Sequence, residues 1–211
     1  MDHYQHTIQT WDQLADLYQD KFMDLDLYDD TYDIFCDLIP SPNARLFEIA
    51  CGPGNITRYM HRKRPDLVIE ATDVSPNMIQ LAKENVPEAS FSVMDCRDIG
   101  KLQPGFDAIL CGFCMPYLSK NDALQFIKDS AHLLNSGGVF YCSIIEDKYD
   151  NSTFETSSNG QFTMFIYYHE AGYLQKALEE NNMQVLHLIR KQYPKKDGSS
   201  QVNLIIIAKK N

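Results

Sequence analysis

A chain of 211 residues, 44% hydrophobic and 23% charged, has the size and composition of a folded globular protein, which excludes a stapled mini-protein, a disordered tail and a coiled coil. Nineteen Lys and Arg against 29 Asp and Glu leave a formal charge of -10, which repels phosphate backbones and anionic lipid heads and disfavours nucleic acid and membrane as partners. No run approaches the roughly 20 apolar residues of a bilayer span, the first twenty residues lack a secretory start, and the six cysteines show no compact secreted spacing, so the expectation is a cytosolic protein with reduced thiols.

Taken in chain order, Asp12 to Phe22 places Leu14, Leu17, Tyr18 and Phe22 at helical spacing, and Tyr32 to Leu38 follows with Ile34, Phe35 and Leu38. Pro40 and Pro42 end these helices. Arg45 to Ala50 reads as a strand running into Cys51-Gly-Pro-Gly54, and Ile56, Tyr59 and Met60 then mark a helix that stops before Pro65. The pattern repeats: Leu67 to Thr72 is a strand, and Ser75 with Pro76 supplies a cap and a first-turn proline for the helix carrying Met78, Leu81, Ala82 and Asn85. Ser90 to Met94 and Phe106 to Leu110 are two further strands. Asn121 to Leu134 is a helix closed by Gly137-Gly138, and Val139 to Ile145 is a fifth strand. Asn151 to Gly160 reads as a loop or insertion. A helix from Glu170 to Asn181 precedes two apolar runs, Val185 to Arg190 and Val202 to Ala208, whose turn-rich connection suits an antiparallel hairpin.

Strands alternating with helices argue an α/β fold, because parallel strands need long crossovers and these are usually helical. In such sheets ligands sit at the carboxyl ends of the strands, against helix N-termini. Gly52 and Gly54 remove the Cβ atoms that would keep a ligand off the main chain and permit positive φ in the turn, although two glycines can also simply make the turn. Asp73 follows the second strand, about twenty residues beyond Gly52, where a carboxylate can accept both hydroxyl protons of a ribose. Loop plus carboxylate suggests an adenosine site. The run Gly52-Pro-Gly54-Asn-Ile-Thr57 lacks the third glycine of a dinucleotide fingerprint, and Glu48, Asp73 and Asp95 make the strand ends acidic. That set suits a ligand with cationic groups and no phosphate.

These motifs resemble, in order, those of the class I S-adenosylmethionine-dependent methyltransferases, from about Arg45 to Ala208. Leu46-Phe-Glu-Ile-Ala-Cys-Gly-Pro-Gly54 is similar to the family's first motif, with Glu48 in place of the usual Asp and Ala50 where the first loop glycine is expected. The resemblance implies a Rossmann-like, mostly parallel seven-stranded sheet with an antiparallel C-terminal hairpin and helices on both faces. It implies S-adenosyl-L-methionine as cofactor, bound by the loop residues Ala50, Cys51, Gly52 and Gly54, with Glu48 facing the methionine ammonium and Asp73 the ribose. By the same likeness Val74 and Met78 line the adenine, Asp95 accepts from its exocyclic amine, Cys96 offers a backbone N–H, and Cys111 ends the strand beside the methionine moiety. Trp11 to Tyr18 resembles the helical lid of small-molecule members, which would put Tyr18 on the cofactor. The chain then reads as one domain, with residues 1–40 as lid and 146–168 as a substrate-side insertion, moving a methyl group to a small-molecule acceptor.

Other readings stay open. Asp73 would also serve an NAD-dependent oxidoreductase, and a non-catalytic cofactor-binding protein would not need a base. His169, Glu146 and Tyr117 are candidate bases that could border the pocket. Cys111-Gly-Phe-Cys114 has the form of a redox dithiol without the helix N-terminus that would activate it. The histidines show no zinc spacing, and neither the acceptor nor the oligomeric state is legible.

Overall fold

The computed structural model describes residues 3–156, 162–195 and 198–211. Three helices lead: α1 (His3–Gln13), α2 (Ala15–Phe22) and α3 (Asp29–Leu38). The core then alternates β1 (Arg45–Ile49), α4 (Asn55–Lys63), β2 (Val68–Asp73), α5 (Pro76–Asn85), β3 (Ser90–Val93), β4 (Phe106–Cys111), α6 (Lys120–Leu133) and β5 (Leu134–Ile145). A short pair, β6 (Thr153–Thr156) and β7 (Thr163–Ile166), is followed by α7 (Ala171–Glu180), β8 (Met183–Pro194) and β9 (Ser200–Lys210).

Seven strands form one sheet in the order β3-β2-β1-β4-β5-β9-β8, parallel except that β9 runs antiparallel to both β5 and β8. Both faces are buried, and the alternation along each strand divides them. Leu46, Leu110, Tyr141 and Ile205 pack towards α3 and α4, whereas Phe47, Ile109, Phe140 and Ile206 pack towards α6 and α7. Strand order reverses between β1 and β4, so the loop after β1 opens at the switch point of the sheet.

Local chemistry sets the helix starts that matter here. Ser75 Oγ accepts from the Met78 amide at 3.1 Å with Pro76 at the first turn, and Ser119 Oγ accepts from the Asp122 amide at 3.2 Å. α1 is pinned across the molecule. Thr10 Oγ1 donates to Thr163 O at 3.2 Å, while Asp12 Oδ1 accepts from Ser75 Oγ at 2.5 Å and from the Asn77 amide at 3.2 Å.

Four expectations change in detail. The first helix starts at His3, well before Asp12, and breaks at Leu14 (φ -99, ψ 12) before α2. α6 ends at Leu133 and β5 begins at once, so Gly137 and Gly138 lie inside a strand and not at a helix stop. The reason is steric: a Cβ on Gly138 would sit 2.9 Å from Asn135 O and 3.1 Å from Asp107 O, where the β4–β5 register shifts. The expected loop at Asn151 to Gly160 contains β6, paired antiparallel with β7, and residues 157–160 of that span lie outside the described residues. β8 and β9 each extend past the apolar runs that mark them. Among the described residues no helix is long and apolar enough to cross a membrane.

Candidate active site

The loop leaving β1 holds three residues at positive φ: Ala50 at 57°, Gly52 at 55° and Gly54 at 84°. Gly54 is suited to its φ, which L side chains rarely adopt, while a Cβ there would meet Ala82 of α5 only at contact distance, 3.4 Å. Ala50 has no such freedom, and the left-handed conformation costs an L-residue roughly 1–2 kcal/mol. The loop is tied to the next strand by the Cys51 amide, which donates to Thr72 O at 2.9 Å, and by the Gly52 amide, which donates to Asp73 Oδ2 at 2.9 Å.

Asp73 therefore has one oxygen on the loop. Its Oδ1 accepts from the Ser75 amide at 2.9 Å. Burial raises its pKa, with the Ser75, Gly52 and Val74 amides pulling the other way, and the net shift is upward. Each carboxylate oxygen keeps capacity for a further donor, so two vicinal hydroxyls can be accommodated.

Glu48 is 1% exposed. Its Oε2 accepts from Thr57 Oγ1 at 2.6 Å, and its Oε1 has no hydrogen-bond partner. Burial pushes the carboxyl up to about 8, more than the Thr57 bond lowers it. An orphaned buried oxygen costs roughly 1–3 kcal/mol, so this one calls for a donor from outside the chain, a ligand or an ordered water.

At the tip of β3 the acid is already engaged. Asp95 Oδ1 accepts from Tyr4 Oη at 2.8 Å and from the Arg97 amide at 2.9 Å, and Oδ2 accepts from Arg97 Nη2 at 2.8 Å. Burial would raise this carboxyl, but the Arg97 and Tyr4 bonds outweigh it and hold it below the usual range. The Tyr4 hydroxyl also reaches Cys96 Sγ at 3.4 Å, and the Arg97 guanidinium lies 3.7 Å over the Tyr4 ring.

Two cavities meet over the loop. A small one, about 100 Å³, is lined by Gly52, Asp73, Val74, Met78 and Cys96 under Tyr4 of α1. A large one, about 910 Å³, is lined by α2, the start of α3, the β6–β7 pair and the far end of the β8–β9 hairpin. Trp11, Tyr18, Ala50, Gly112, Phe113 and Tyr117 line both and so form the throat between them. Phe113, like Ala50, is held at positive φ (60°), with its amide donating to Ser143 Oγ at 2.7 Å. Of the residues singled out in the sequence, the fold thus gathers Tyr18, Ala50, Cys51, Gly52, Asp73, Val74, Met78 and Cys96 on cavity walls. Glu48, Gly54, Asp95 and Cys111 are in neither wall; Cys111 is fully buried at the end of β4.

The candidate bases separate. His169 is 0% exposed, its Nε2 bonded to Met115 O at 2.9 Å and its Nδ1 to the Tyr173 hydroxyl. Burial pushes its pKa down to about 4, so it is a neutral brace inside the fold and not a base at the pocket. Glu146 is gripped by Arg190, Nε to Oε2 at 2.6 Å and Nη2 to Oε1 at 2.7 Å, and it lines neither cavity. Tyr117 alone stands at the throat, and burial raises its hydroxyl well above the ordinary value, which makes it a proton holder at neutral pH. Cys111 and Cys114 are free, buried thiols with raised pKa values, unsuited to redox exchange. Among the described residues no group of three His, Cys, Asp or Glu side chains could hold a metal ion.

Tyr4, Tyr28, Phe113 and Asn203 have no signal in the sequence as wall residues. They reach the cavities from α1, the entry to α3, the turn after β4 and the last strand, a convergence that only the sheet order creates.

Residues 46–138 match the family model described as a methyltransferase domain. That segment holds the glycine loop and the first strands of the sheet, and the fold as a whole is one shared with S-adenosylmethionine-dependent methyltransferases of known structure. Among curated proteins it is 36% identical over 90 residues to trans-aconitate 2-methyltransferase of Mycobacterium tuberculosis, covering 43% of this chain and 30% of that one. It is 29% identical over 100 residues to a putative methyltransferase of Invertebrate iridescent virus 6, covering 47% and 36%. The matched stretch thus spans about a third or less of these relatives' length. Among solved structures, an S-adenosylmethionine-dependent methyltransferase of Methanosarcina mazei superposes with TM-score 0.71 at 17% identity, over 88% of this chain and 99% of that one. Magnesium protoporphyrin IX methyltransferase of Synechocystis, crystallised with bound S-adenosylmethionine, superposes with TM-score 0.62 at 15% identity, over 100% and 85%.

Proposed function

We propose that this chain transfers the methyl group of S-adenosylmethionine to a small-molecule acceptor held in the large cavity. The observation that carries the reading is the buried carboxylate of Glu48, with an orphaned oxygen, two residues before a bare-backbone loop whose Gly52 amide is bonded to Asp73. This donor set fits a phosphate-free ligand with an ammonium and a ribose. Glu48 would face the ammonium, Asp73 the ribose hydroxyls, and Ala50, Cys51, Gly52 and Gly54 the methionine chain. Val74 and Met78 would flank the adenine, with Cys96 at its edge and Cys111 behind the methionine end of the site. Asp95 would take the adenine amine in exchange for the Tyr4 hydroxyl it now binds.

When bound, the cofactor supplies a methyl group already activated on a sulfonium. The protein's own task is then placement, which can be worth several kcal/mol when reacting atoms are held near contact distance. Trp11, Tyr18, Phe113 and Tyr117 at the throat would exclude water between the two cavities, which favours a step in which charge disperses. Tyr117 stays protonated, so it would donate to the acceptor and orient it, and an acceptor that must lose a proton has to arrive acidic or pass that proton to water. In this reading α1–α3 act as a lid within a single domain, and β6–β7 is a substrate-side addition.

The test is formation of S-adenosylhomocysteine from S-adenosylmethionine in the presence of a panel of small acceptors. Acceptor-dependent turnover is expected. Saturable cofactor binding with no turnover across phenolic, carboxylic, amine and thiol acceptors would favour a non-catalytic binding protein.

A further inference from the structure

The walls of the large cavity carry a chemical signature that the methyltransferase reading does not itself require. They are aromatic. Trp11 and Tyr18 meet edge to face at 5.3 Å, Tyr18 and Phe22 lie 4.6 Å apart, and Tyr28 and Phe113 lie 4.8 Å apart, with Tyr193 on the opposite hairpin. Flat rings of this kind offer large contact area to another flat ring.

Among the described residues the wall carries four basic side chains (Lys21, Arg58, Arg62 and Lys195) and four acidic ones (Asp24, Asp26, Asp29 and Glu155). Arg58 Nη2 is bonded to Asp24 Oδ1 at 2.5 Å and to Met23 O at 2.6 Å, and Lys195 Nζ to Glu155 Oε1 at 2.9 Å. A polycarboxylate would enter a chamber with no excess of cations, and to be held by Arg58 or Lys195 it would have to break an internal ion pair.

Two buried donors lack a well-formed bond to an acceptor. Trp11 Nε1 makes none, the nearby acceptor being the Tyr117 hydroxyl at the throat. Tyr28 is 4% exposed, and its hydroxyl oxygen accepts from Asn203 Nδ2 at 2.6 Å, which leaves its proton with no acceptor among the described residues. Asn203, 2% exposed, is fixed in turn by Gln201, whose Nε2 donates to its Oδ1 at 2.8 Å. Fixed donors on an aromatic wall call for oxygen atoms on an otherwise flat, apolar guest.

We infer that the acceptor is an uncharged aromatic ring system bearing oxygen substituents, held by Tyr28 and Trp11, and not an aliphatic polycarboxylate. The inference rests on the methyltransferase reading, and it departs from the acid in the names of the mycobacterial relatives. The reaction would form a bond from a ring oxygen to the methyl carbon and break the sulfur–methyl bond, with the hydroxyl proton released to water.

Trp11 is the chain's single tryptophan, so its fluorescence reports on this wall directly. The experiment titrates catechol, 2,3-dihydroxynaphthalene, quercetin and trans-aconitate into the full chain, with and without S-adenosylhomocysteine, reading Trp11 emission and confirming each isotherm by calorimetry. At least one oxygenated aromatic is expected to saturate, and trans-aconitate is not. Tyr28→Phe is expected to weaken the aromatic ligand roughly three- to tenfold while leaving S-adenosylhomocysteine affinity unchanged. Binding of S-adenosylhomocysteine with no aromatic ligand bound, or tighter binding of trans-aconitate than of any aromatic, would overturn the inference and leave the methyltransferase reading standing. Saturation by an aromatic with no binding of S-adenosylhomocysteine would support the chamber's chemistry and overturn the cofactor reading.

Discussion

Ala50 and Glu48 are the two residues at which the loop departs from the pattern its family resemblance predicts, and they depart in different ways. Ala50 sits at φ 57°, where a glycine would be unstrained. Replacing it should relieve roughly 1–2 kcal/mol of left-handed strain against roughly 0.5–1 kcal/mol of added chain entropy in the unfolded state. Ala50→Gly is therefore expected to raise the unfolding free energy by about 0.5–1 kcal/mol, and a denaturant melt showing destabilisation would mean that its methyl group packs usefully at the throat. Glu48 is legible from sequence as an acid before a glycine loop. Its orphaned oxygen is not legible, because that depends on Thr57 satisfying only one side of the carboxylate. With its pKa pushed up to about 8, Glu48 is mostly protonated at pH 7, so an ammonium placed beside it should re-ionise it and release a proton to the buffer.

At the scale of elements, the parallel strands and their helices are legible because each carries a period that matches its state: runs apolar on both faces for β4 and β5, three-to-four spacing for α6. What escapes is governed by pairing. β6 is Thr153–Thr156 in a Ser- and Thr-rich stretch, and its identity as a strand comes from β7 opposite it, a partner that local composition does not reveal. His169 shows the same limit. A histidine after an aromatic run looks like a base, yet it bridges the start of α7 to the turn after β4 through Tyr173 and Met115 O. Because its folded pKa is near 4 and its unfolded value near 6.5, its contribution to stability is present above pH 6.5 and is lost as pH falls towards 4. The difference in unfolding free energy between wild type and His169→Gln is expected to shrink by an amount on the order of 2–3 kcal/mol between pH 7 and pH 4. A difference that stays constant over that range would show the imidazole to be accessible to protons in the folded state.

For the molecule as a whole, the sheet order β3-β2-β1-β4-β5-β9-β8 explains why residues scattered from Tyr4 to Asn203 meet at one end. The fold class and the acidic strand tips can be read along the chain, since each is local. The two-chamber plan cannot, since it arises where α1, the β6–β7 pair and the C-terminal hairpin close over the switch point. A net charge of -10 and the acids behind the loop also make this end of the sheet inhospitable to a diphosphate, which separates the methyltransferase reading from a nicotinamide one.

Whether an ammonium and a ribose are what Glu48 and Asp73 hold is decided by calorimetric titration of S-adenosylhomocysteine, and separately of NAD, into wild type, Asp73→Ala and Glu48→Gln. S-adenosylhomocysteine should saturate the wild type with a heat at pH 7 that depends on the buffer's ionisation enthalpy, and NAD should give no saturable heat. Folded Asp73→Ala should bind roughly ten- to a hundredfold more weakly, and Glu48→Gln should bind more weakly with no buffer dependence. Unchanged affinity in a folded Asp73→Ala protein, or binding of NAD in preference to S-adenosylhomocysteine, would contradict the account.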